Sequence, residues 1–598
     1  MPLRALTVLL HRGKTQQQLP TAVEQAYLGG RGVIAWMLYY QLASDTAPLS
    51  AANLLIFAAG PLAGHVDFAA SGFIVGTRSP FTGGIAYSWA PGQWGAALRR
   101  AGYDLLILNG QAPEWCLLQI DHARVVLRPA THVLGLDTIE TTWRLQAELG
   151  SDYVIICIGP AAEAGVAYSS IVAEGRYLAE PAGVGAVMAH KRVKAIAVRG
   201  NQPLPVRDER KLTVALNLIR QRMEHSSLAQ SLQRSGSMHY FTPALERGAL
   251  TQRNGQDGMA AAHLYDLPAV LAQRGQHNGR TYTGVPIPLM SDPSALRDQP
   301  LPLPELEMVA GFSARCGITD ADAVLSMADL CLRLGLDPVA TSAAMAFMME
   351  CQEAGLNHAG TLRWGDAQAV LTALTRLGTR RDKRDVLSLG VDEMQDIFYK
   401  SDRFAPQVKG LAMPTLDPRA LTGIALAMAT APIGGDYRYA MMYEELLESP
   451  PTWLPDAPAP PQATSGKVVR LIWHERLAAM LDAAGICRRL GLMAYQITPG
   501  EVLALINAVS EVPLSAADMG RLGERVVTLE RLFALKYGYK TLPDELPPRW
   551  QEAPLREGVA AGYVPPLAEL LPEYYRRHGW NSAGRPPASR LNELGIKK

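Results

Sequence analysis

Two short turns of this chain bring acid, glycine and thiol together at a spacing that could hold a ligand: Leu332-Arg333-Leu334-Gly335-Leu336-Asp337 and Asp482-Ala483-Ala484-Gly485-Ile486-Cys487. An amphipathic run leads into each, Val324, Ala328 and Cys331 before the first and Leu477, Met480 and Leu481 before the second. The glycine then stands where a helix ends in left-handed backbone. In the second copy Asp482 and Cys487 bracket the glycine, so one loop offers a hydrogen-bond acceptor and a potential metal ligand. In the first copy Leu332 stands where the acid would be, and Asp337 follows the turn. Two such turns from distant parts of the chain could grip one bipartite ligand, although helices ending in glycine are common enough for two to match by chance.

The thiols bound what metal chemistry is open. Six cysteines stand at 116, 157, 316, 331, 351 and 487, mostly inside apolar runs such as Tyr153-Val154-Ile155-Ile156-Cys157-Ile158, with no C-x-x-C pair. They read as buried thiols and not as a disulfide set. A metal site using Cys487 must therefore draw its other ligands from elsewhere.

The first 200 or so residues are strand-like runs punctuated by glycine: 53–60, 73–77, 103–110, 115–120, 153–160 and 193–200. Between them the stretches Leu28-Gly29-Gly30-Arg31-Gly32, Ser79-Pro80-Phe81-Thr82-Gly83-Gly84 and Ala182-Gly183-Val184-Gly185-Ala186-Val187-Met188 read as flexible loops whose amides could approach a ligand. From about residue 205 the apolar period becomes helical, as in Leu522, Val526, Leu529 and Phe533, ended by Gly538, and in 320–334 with Asp320 as N-cap. The proline-rich stretch 449–466 reads as an extended connector, and Arg380-Arg381-Asp382-Lys383-Arg384 as a solvated helix face. The fold class expected is α+β: a β-rich domain over residues 1–203, then mostly α-helical domains over 204–415 and 416–598.

With 57 basic and 56 acidic side chains in 598 residues, the chain shows no charge bias toward nucleic acid or an anionic membrane. No apolar run approaches the roughly 20 residues of a membrane span, and Met1-Pro2-Leu3-Arg4 does not open a signal peptide. The expected location is the cytoplasm.

The chain resembles the tungsten-dependent aldehyde:ferredoxin oxidoreductase family over nearly its whole length. The resemblance is carried by Tyr27-Leu28-Gly29-Gly30-Arg31-Gly32, Ala59-Gly60-Pro61-Leu62-Ala63-Gly64, Ser79-Pro80-Phe81-Thr82-Gly83, Ala101-Gly102-Tyr103-Asp104 and Gly183-Val184-Gly185-Ala186-Val187-Met188. Later stretches are Gly335-Leu336-Asp337, Asp417-Pro418-Arg419, Glu530-Arg531-Leu532-Phe533 and Gly579-Trp580-Asn581, all in the family's order. The resemblance implies a β-built saddle for a tungsten or molybdenum bis-pterin cofactor, covered by two helical domains. Of the cofactor contacts, it retains Ser79, Gly183, Gly185, Gly335, Asp337, Asp482 and Gly485.

The departures fall on the chemistry. Where the family's resemblance implies three cluster cysteines, Thr281–Leu289 offers Tyr282, Val285 and Leu289, leaving Cys487 as a remnant ligand. A [4Fe-4S] cluster needs about four soft thiolates, so its absence is expected. Phe73 and the Glu180-Pro181-Ala182-Gly183 stretch replace two implied arginines, removing charged forks suited to phosphate. At the reacting centre the resemblance implies Glu307 as proton acceptor or hydrogen-bond partner of substrate. The implied histidine is absent, and Tyr437 or Asp436 takes its place. Tyrosine can donate to a carbonyl oxygen, but with a reference pKa of about 10 it is a poor proton shuttle. His474 reads as an ordinary helix residue.

Three functions follow. The first is an oxidoreductase acting on an aldehyde or related carbonyl compound without a cluster of its own. The second is a catalytically silent paralogue, a structural or regulatory subunit beside an active member. The third is a non-redox lyase or hydratase in which a metal polarises a carbonyl. The partners implied are a small carbonyl substrate or none, and a homo-oligomer or a hetero-oligomer with a redox-active subunit.

Overall fold

In the computed structural model the first 200 residues form two six-stranded sheets. The residues described are 3–66, 69–273, 276–277, 280–283, 301–302, 304–357, 361–379, 385–456, 459–511, 513–537 and 543–597. The expectations for Val285, Leu289, Arg380 to Arg384 and Gly538 lie outside them, and of Tyr282 only the backbone is described.

The first sheet comprises β1 (Arg4–Leu9), β2 (Gly13–Gln18), β3 (Leu55–Ala58), β4 (Phe73–Arg78), β5 (Ile85–Ala90) and β6 (Leu105–Asn109), in the order β2-β1-β6-β3-β4-β5. The second comprises β7 (Cys116–Asp121), β8 (Arg124–Pro129), β9 (Val154–Ile158), β10 (Ile171–Ala173), β11 (Tyr177–Ala179) and β12 (Val193–Arg199). Its order, β8-β7-β12-β9-β10-β11, repeats the first with every strand six places later. The repeat extends to direction: β1 and β6 run parallel, as do β7 and β12, and every other pairing in the two sheets is antiparallel. The β-rich domain is thus two copies of one topology, and neither sheet is a parallel, Rossmann-like one.

The alternation of side chains along a strand explains how the sheets stack. Leu55, Phe57, Leu106 and Leu108 of the first sheet meet Ile156, Ile158, Ile196 and Val198 of the second in one core. The opposite residues of the first sheet, Ile56, Ala58, Leu105 and Ile107, join the large core shared with the helices. Those of the second, Ile155, Cys157, Ala195 and Ala197, pack with Leu145 of the helix Thr138–Leu149. Strands β3 and β9, apolar at every position, are buried on both faces.

Two sequence readings are corrected. The glycine stretch at 28–32 is no loop but the start of the helix Gly30–Gln41, and 182–188 runs into the helix Val184–His190. Small residues there let helix and neighbouring backbone approach closely. A Cβ at Gly32 would stand 2.2 Å from the Tyr27 carbonyl oxygen, and one at Gly185 would stand 2.7 Å from that of Ser169.

Beyond residue 205 the chain is mainly helical. Asp320 caps Ala321–Leu334 by accepting from the Asp322 amide, and Leu522, Val526, Leu529 and Phe533 form a buried face of Ala516–Lys536. That helix packs with Lys467–Ala484 and Gly30–Gln41. Among the described residues no helix is long and apolar enough to cross a membrane.

Candidate functional site

Both glycine turns form as read, and each docks on the same feature of the duplicated domain. Ala321–Leu334 ends at left-handed Gly335 (φ 70°) and Lys467–Ala484 at left-handed Gly485 (φ 82°). Gly485 lies against Gly60, the glycine after β3, and Gly335 against Gly159, the glycine after β9. In the duplication β3 and β9 are equivalent strands, so the two turns are held at equivalent points of the two sheets. No side chain fits between: a Cβ on Gly60 would stand 2.1 Å from the Gly485 nitrogen, and one on Gly159 would stand 2.1 Å from the Leu334 oxygen.

The equivalent edge strands β5 and β11 also meet, through a bridge between Trp89 and Glu180. A cavity with about 1480 Å³ of empty space, its open mouth included, lies on this seam. Tyr87 and Trp89 of β5, Tyr177 and Leu178 of β11, and Glu180 form one side. Glu307, Leu332, Asp436, Tyr443, Asp482, Cys487 and several arginines are among the other lining residues.

Charge in this cavity is paired. Arg31, fully buried, donates from Nε and Nη2 to the two oxygens of Glu530 at 2.7 and 2.9 Å, and from Nη1 to Asp482 Oδ2 at 3.2 Å. Its guanidinium lies 4.2 Å from the centre of the Tyr439 ring, whose hydroxyl also bonds Glu530. Arg438 donates from Nη2 to Asp436 Oδ2 at 2.8 Å and from Nη1 to Glu180 Oε1 at 2.7 Å. Burial drives the Glu180 carboxyl well up, against the opposing pull of Arg438. Burial likewise raises Asp482, opposed by Arg488 and Arg31.

The predicted residues divide around this cavity. Glu307, Asp482 and Cys487 line it. Tyr437 stands one hydrogen bond away: its hydroxyl donates to Glu307 Oε1 at 2.6 Å, while Glu307 Oε2 accepts from the Thr415 amide and, at 2.6 Å, from Thr415 Oγ1. Burial, then Glu307 and Tyr443, push the Tyr437 hydroxyl well up. Asp337 caps the helix Pro338–Glu353, accepting from the amides of Val339 and Ala340 at 2.8 and 3.2 Å. Ser79 Oγ accepts from the amides of Phe81 and Thr82, both at 3.2 Å, closing its own turn. Gly183, in left-handed backbone, precedes the helix Val184–His190. Cys487 caps the short helix Arg488–Leu492, and burial raises its thiol against the pull of Arg489. Among the described residues no three His, Cys, Asp or Glu side chains are placed together to hold a metal ion.

His474 is a structural residue, its Nδ1 2.8 Å from the Arg470 carbonyl oxygen and its Nε2 3.1 Å from Glu444 in the core. The residues missed by sequence reasoning are chiefly Arg31 and Arg438. Arg31 sits inside a quoted glycine stretch and Arg438 one residue past Tyr437, so their positions were visible while their partners were not.

Acceptors for a ligand remain. Among the described residues Glu180 Oε2 and Asp482 Oδ1 are buried carboxylate oxygens without a well-aligned donor; Glu180 pairs with the Asp337 carboxyl, and Asp482 Oδ1 stands at ion-pair distance, 3.1 Å, from Arg488 Nε. Both side chains line the cavity. Both keep acceptor capacity that a heterocycle presenting N–H groups along one edge could use.

Residues 5–200 match the family described as aldehyde ferredoxin oxidoreductase, N-terminal domain, and 214–596 match its domains 2 and 3. The chain is 31% identical to the tungsten-containing aldehyde ferredoxin oxidoreductase of Thermococcus kodakarensis, covering 99% of this chain and 98% of that one. It is 31% identical to the enzyme of the same description from Pyrococcus furiosus, over 95% and 94% of the two chains. A WOR-like subunit of an aliphatic sulfonate oxidoreductase from Pyrococcus furiosus is 25% identical over 99% and 96%. The fold is shared with a chain of the active site complex BamBC of benzoyl coenzyme A reductase, solved with 1,5-dienoyl-CoA. There the TM-score is 0.83 at 23% identity, covering 99% of this chain and 96% of the other.

Proposed function

Because the chain belongs to the aldehyde ferredoxin oxidoreductase family, we propose that it oxidises an aldehyde or related carbonyl compound at a tungsten or molybdenum bis-pterin centre seated in the cavity. The observation that carries this reading is the buried Glu307–Tyr437 hydrogen bond, which sets a phenol behind the acid at the cavity wall. The remaining acceptor capacity of Glu180 and Asp482 fits the N–H edge of a pterin, and Arg31 and Arg488 hold Asp482 in place. When bound, such a centre supplies the two-electron redox step.

The chain's own residues do the rest. Thr415 and Tyr437 fix both oxygens of Glu307, so that a proton released from substrate has an oriented acceptor. Tyr87, Trp89 and Leu178 give the cavity an apolar side that excludes water. Pterin phosphates find less here than arginine forks would give, since Arg31 and Arg438 are already committed to carboxylates.

The same proposal includes the absence of a [4Fe-4S] cluster, supported by the lack of any cysteine in 281–289. Electrons then leave through a partner with its own redox centre, a reading supported by the relative described as a WOR-like subunit. A second reading, a silent subunit, is favoured by the internal pairing of the cavity's charges, which leaves few charged groups for a cofactor.

The test is elemental analysis of anaerobically purified protein together with dye-linked oxidation of short aldehydes. Tungsten or molybdenum stoichiometric with the chain, little iron, and activity lost in Glu307→Gln are expected. Metal-free protein that stays inactive after reconstitution overturns the enzyme reading in favour of the silent subunit. Stoichiometric iron and sulfide overturn the absence of the cluster.

A further inference from the structure

Glu307 is better supplied with hydrogen bonds than a carboxylate awaiting a substrate. Three of its roughly four acceptor positions are filled, by the Thr415 amide, Thr415 Oγ1 and the Tyr437 hydroxyl. Tyr437 is fully buried and its proton is committed to Glu307. Its oxygen lies 3.2 Å from the hydroxyl of Tyr443, and Tyr443 does line the cavity.

The Tyr443 ring is held from both sides. Its centre lies 5.9 Å from that of Tyr437, edge to face, and 4.7 Å from that of Tyr240. Tyr240 is itself anchored by a 2.5 Å hydrogen bond to the Met493 carbonyl oxygen. A phenol so pinned, in the lining of the cavity and with one long hydrogen bond to Tyr437, can exchange that bond for one to a ligand oxygen without moving its ring.

We propose that Tyr443 is the residue that meets the oxygen of a carbonyl or carboxylate ligand, and that Glu307 acts behind it through the relay Tyr443–Tyr437–Glu307. The chemical step rests on the function proposed above; the contact does not. With Glu307 ionised, Tyr437 donates to Glu307; Tyr443 donates to the oxygen of a carbonyl or carboxylate ligand, and donates to Tyr437 instead when the ligand itself offers an O–H group. A proton from an O–H group of the ligand reaches Glu307 by three shifts: to Tyr443 oxygen, from Tyr443 to Tyr437 oxygen, and from Tyr437 to Glu307 Oε1. Both tyrosines end neutral, and no oxidant is consumed. In this scheme Tyr443 is catalytic, and Tyr437 and Glu307 position it and take up its proton.

The experiment places 3-fluorotyrosine at 443 or at 437 in the full chain and follows the fluorine resonance as propionate is added. Propionate should shift the resonance at 443 directly and that at 437 less, and Tyr443→Phe should weaken propionate binding about tenfold. In metal-loaded protein turning over propanal, Tyr443→Phe should raise KM and lower kcat, about 10²-fold in kcat/KM. Tyr437→Phe, by contrast, should lower kcat while propionate binding stays near wild type. A 443 resonance unmoved by propionate, or propionate binding unchanged in Tyr443→Phe, overturns the proposal. If the wild type oxidises no aldehyde, the proposed function fails and the fluorine result still decides the contact.

Discussion

Arg31 and Glu530, 499 residues apart in the chain, form a two-pronged ion pair in which neither side chain is more than 1% exposed. The planar guanidinium matches the carboxylate fork, and its third nitrogen holds Asp482 of the second turn. This joins the helix Gly30–Gln41 of the β-rich domain to two helices from the far end of the chain, Lys467–Ala484 and Ala516–Lys536. Breaking one side of such a pair strands a buried charge.

Arg31→Gln should therefore destabilise the protein by about 3–5 kcal/mol, read from denaturant midpoints. Arg31→Lys should recover little of that, because a lysine cannot reach Glu530 with two prongs and Asp482 with a third. A loss below about 1 kcal/mol, the range of exposed pairs, would show that the cluster is not buried as described.

The glycine contacts under the two turns predict a matched pair of effects. Gly60→Ala and Gly159→Ala each put a methyl about 2 Å from the backbone of a docked turn, with no side chain that could yield. Each should destabilise by several kcal/mol, on the order of the overpacking range of about 1–3 kcal/mol or beyond it, and should speed proteolysis of the helices carrying Gly335 and Gly485. Gly520→Ala is the control: it is exposed in the helix Ala516–Lys536, with nothing near its Cβ position, and should stabilise by about 0.5–1 kcal/mol. Thermal denaturation of the three variants checks the order.

Six strands of the β-rich domain were legible in the sequence, β3, β4, β6, β7, β9 and β12, because strands inside a sheet are apolar through much of their length. The others gave weaker signals. Strand β2, Gly13–Gln18, is exposed at every position and polar, while β10 and β11 have three residues each. The turns at Gly335 and Gly485 were readable because their cause is local, a helix that must end. The ion pairs were not, because nothing near Arg31 announces Glu530 and nothing near Arg438 announces Glu180. Glu307 and Tyr437 were named through the family resemblance alone; their mutual hydrogen bond spans 130 residues and follows from no spacing.

That hydrogen bond gives a prediction independent of any cofactor. Tyr437→Phe leaves Glu307 Oε1 buried without its donor while Thr415 still holds Oε2. The fold should survive with a loss of about 1–3 kcal/mol. The double variant Tyr437→Phe with Glu307→Gln should lose less than the two single losses added, since the partners are in contact. A double-mutant cycle by chemical denaturation measures the coupling, and additive losses would show that the two residues do not share this bond in solution.

Glu174 sets a pH dependence that can be assigned to one group. It is buried, one oxygen accepts from the Gln93 amide, and the other has no hydrogen-bond partner among the described residues. Burial raises its carboxyl from 4.5 to about 7, more than the Gln93 amide, Arg176 and the Trp94 amide pull it down. The sign follows from proton counting. Between these two values the unfolded chain has released the proton while the folded one keeps it, so stability is highest below pH 4.5 and falls as pH rises to about 7. Above that the loss is complete, about 3 kcal/mol at 1.36 kcal/mol per unit. Glu174→Gln keeps the shape and cannot ionise, so it should remove this slope and leave the variant more stable than the wild type at pH 8 but not at pH 4. Denaturant titrations of both proteins across that range would show parallel curves if Glu174 is solvated and converging ones, toward low pH, if it is buried as found.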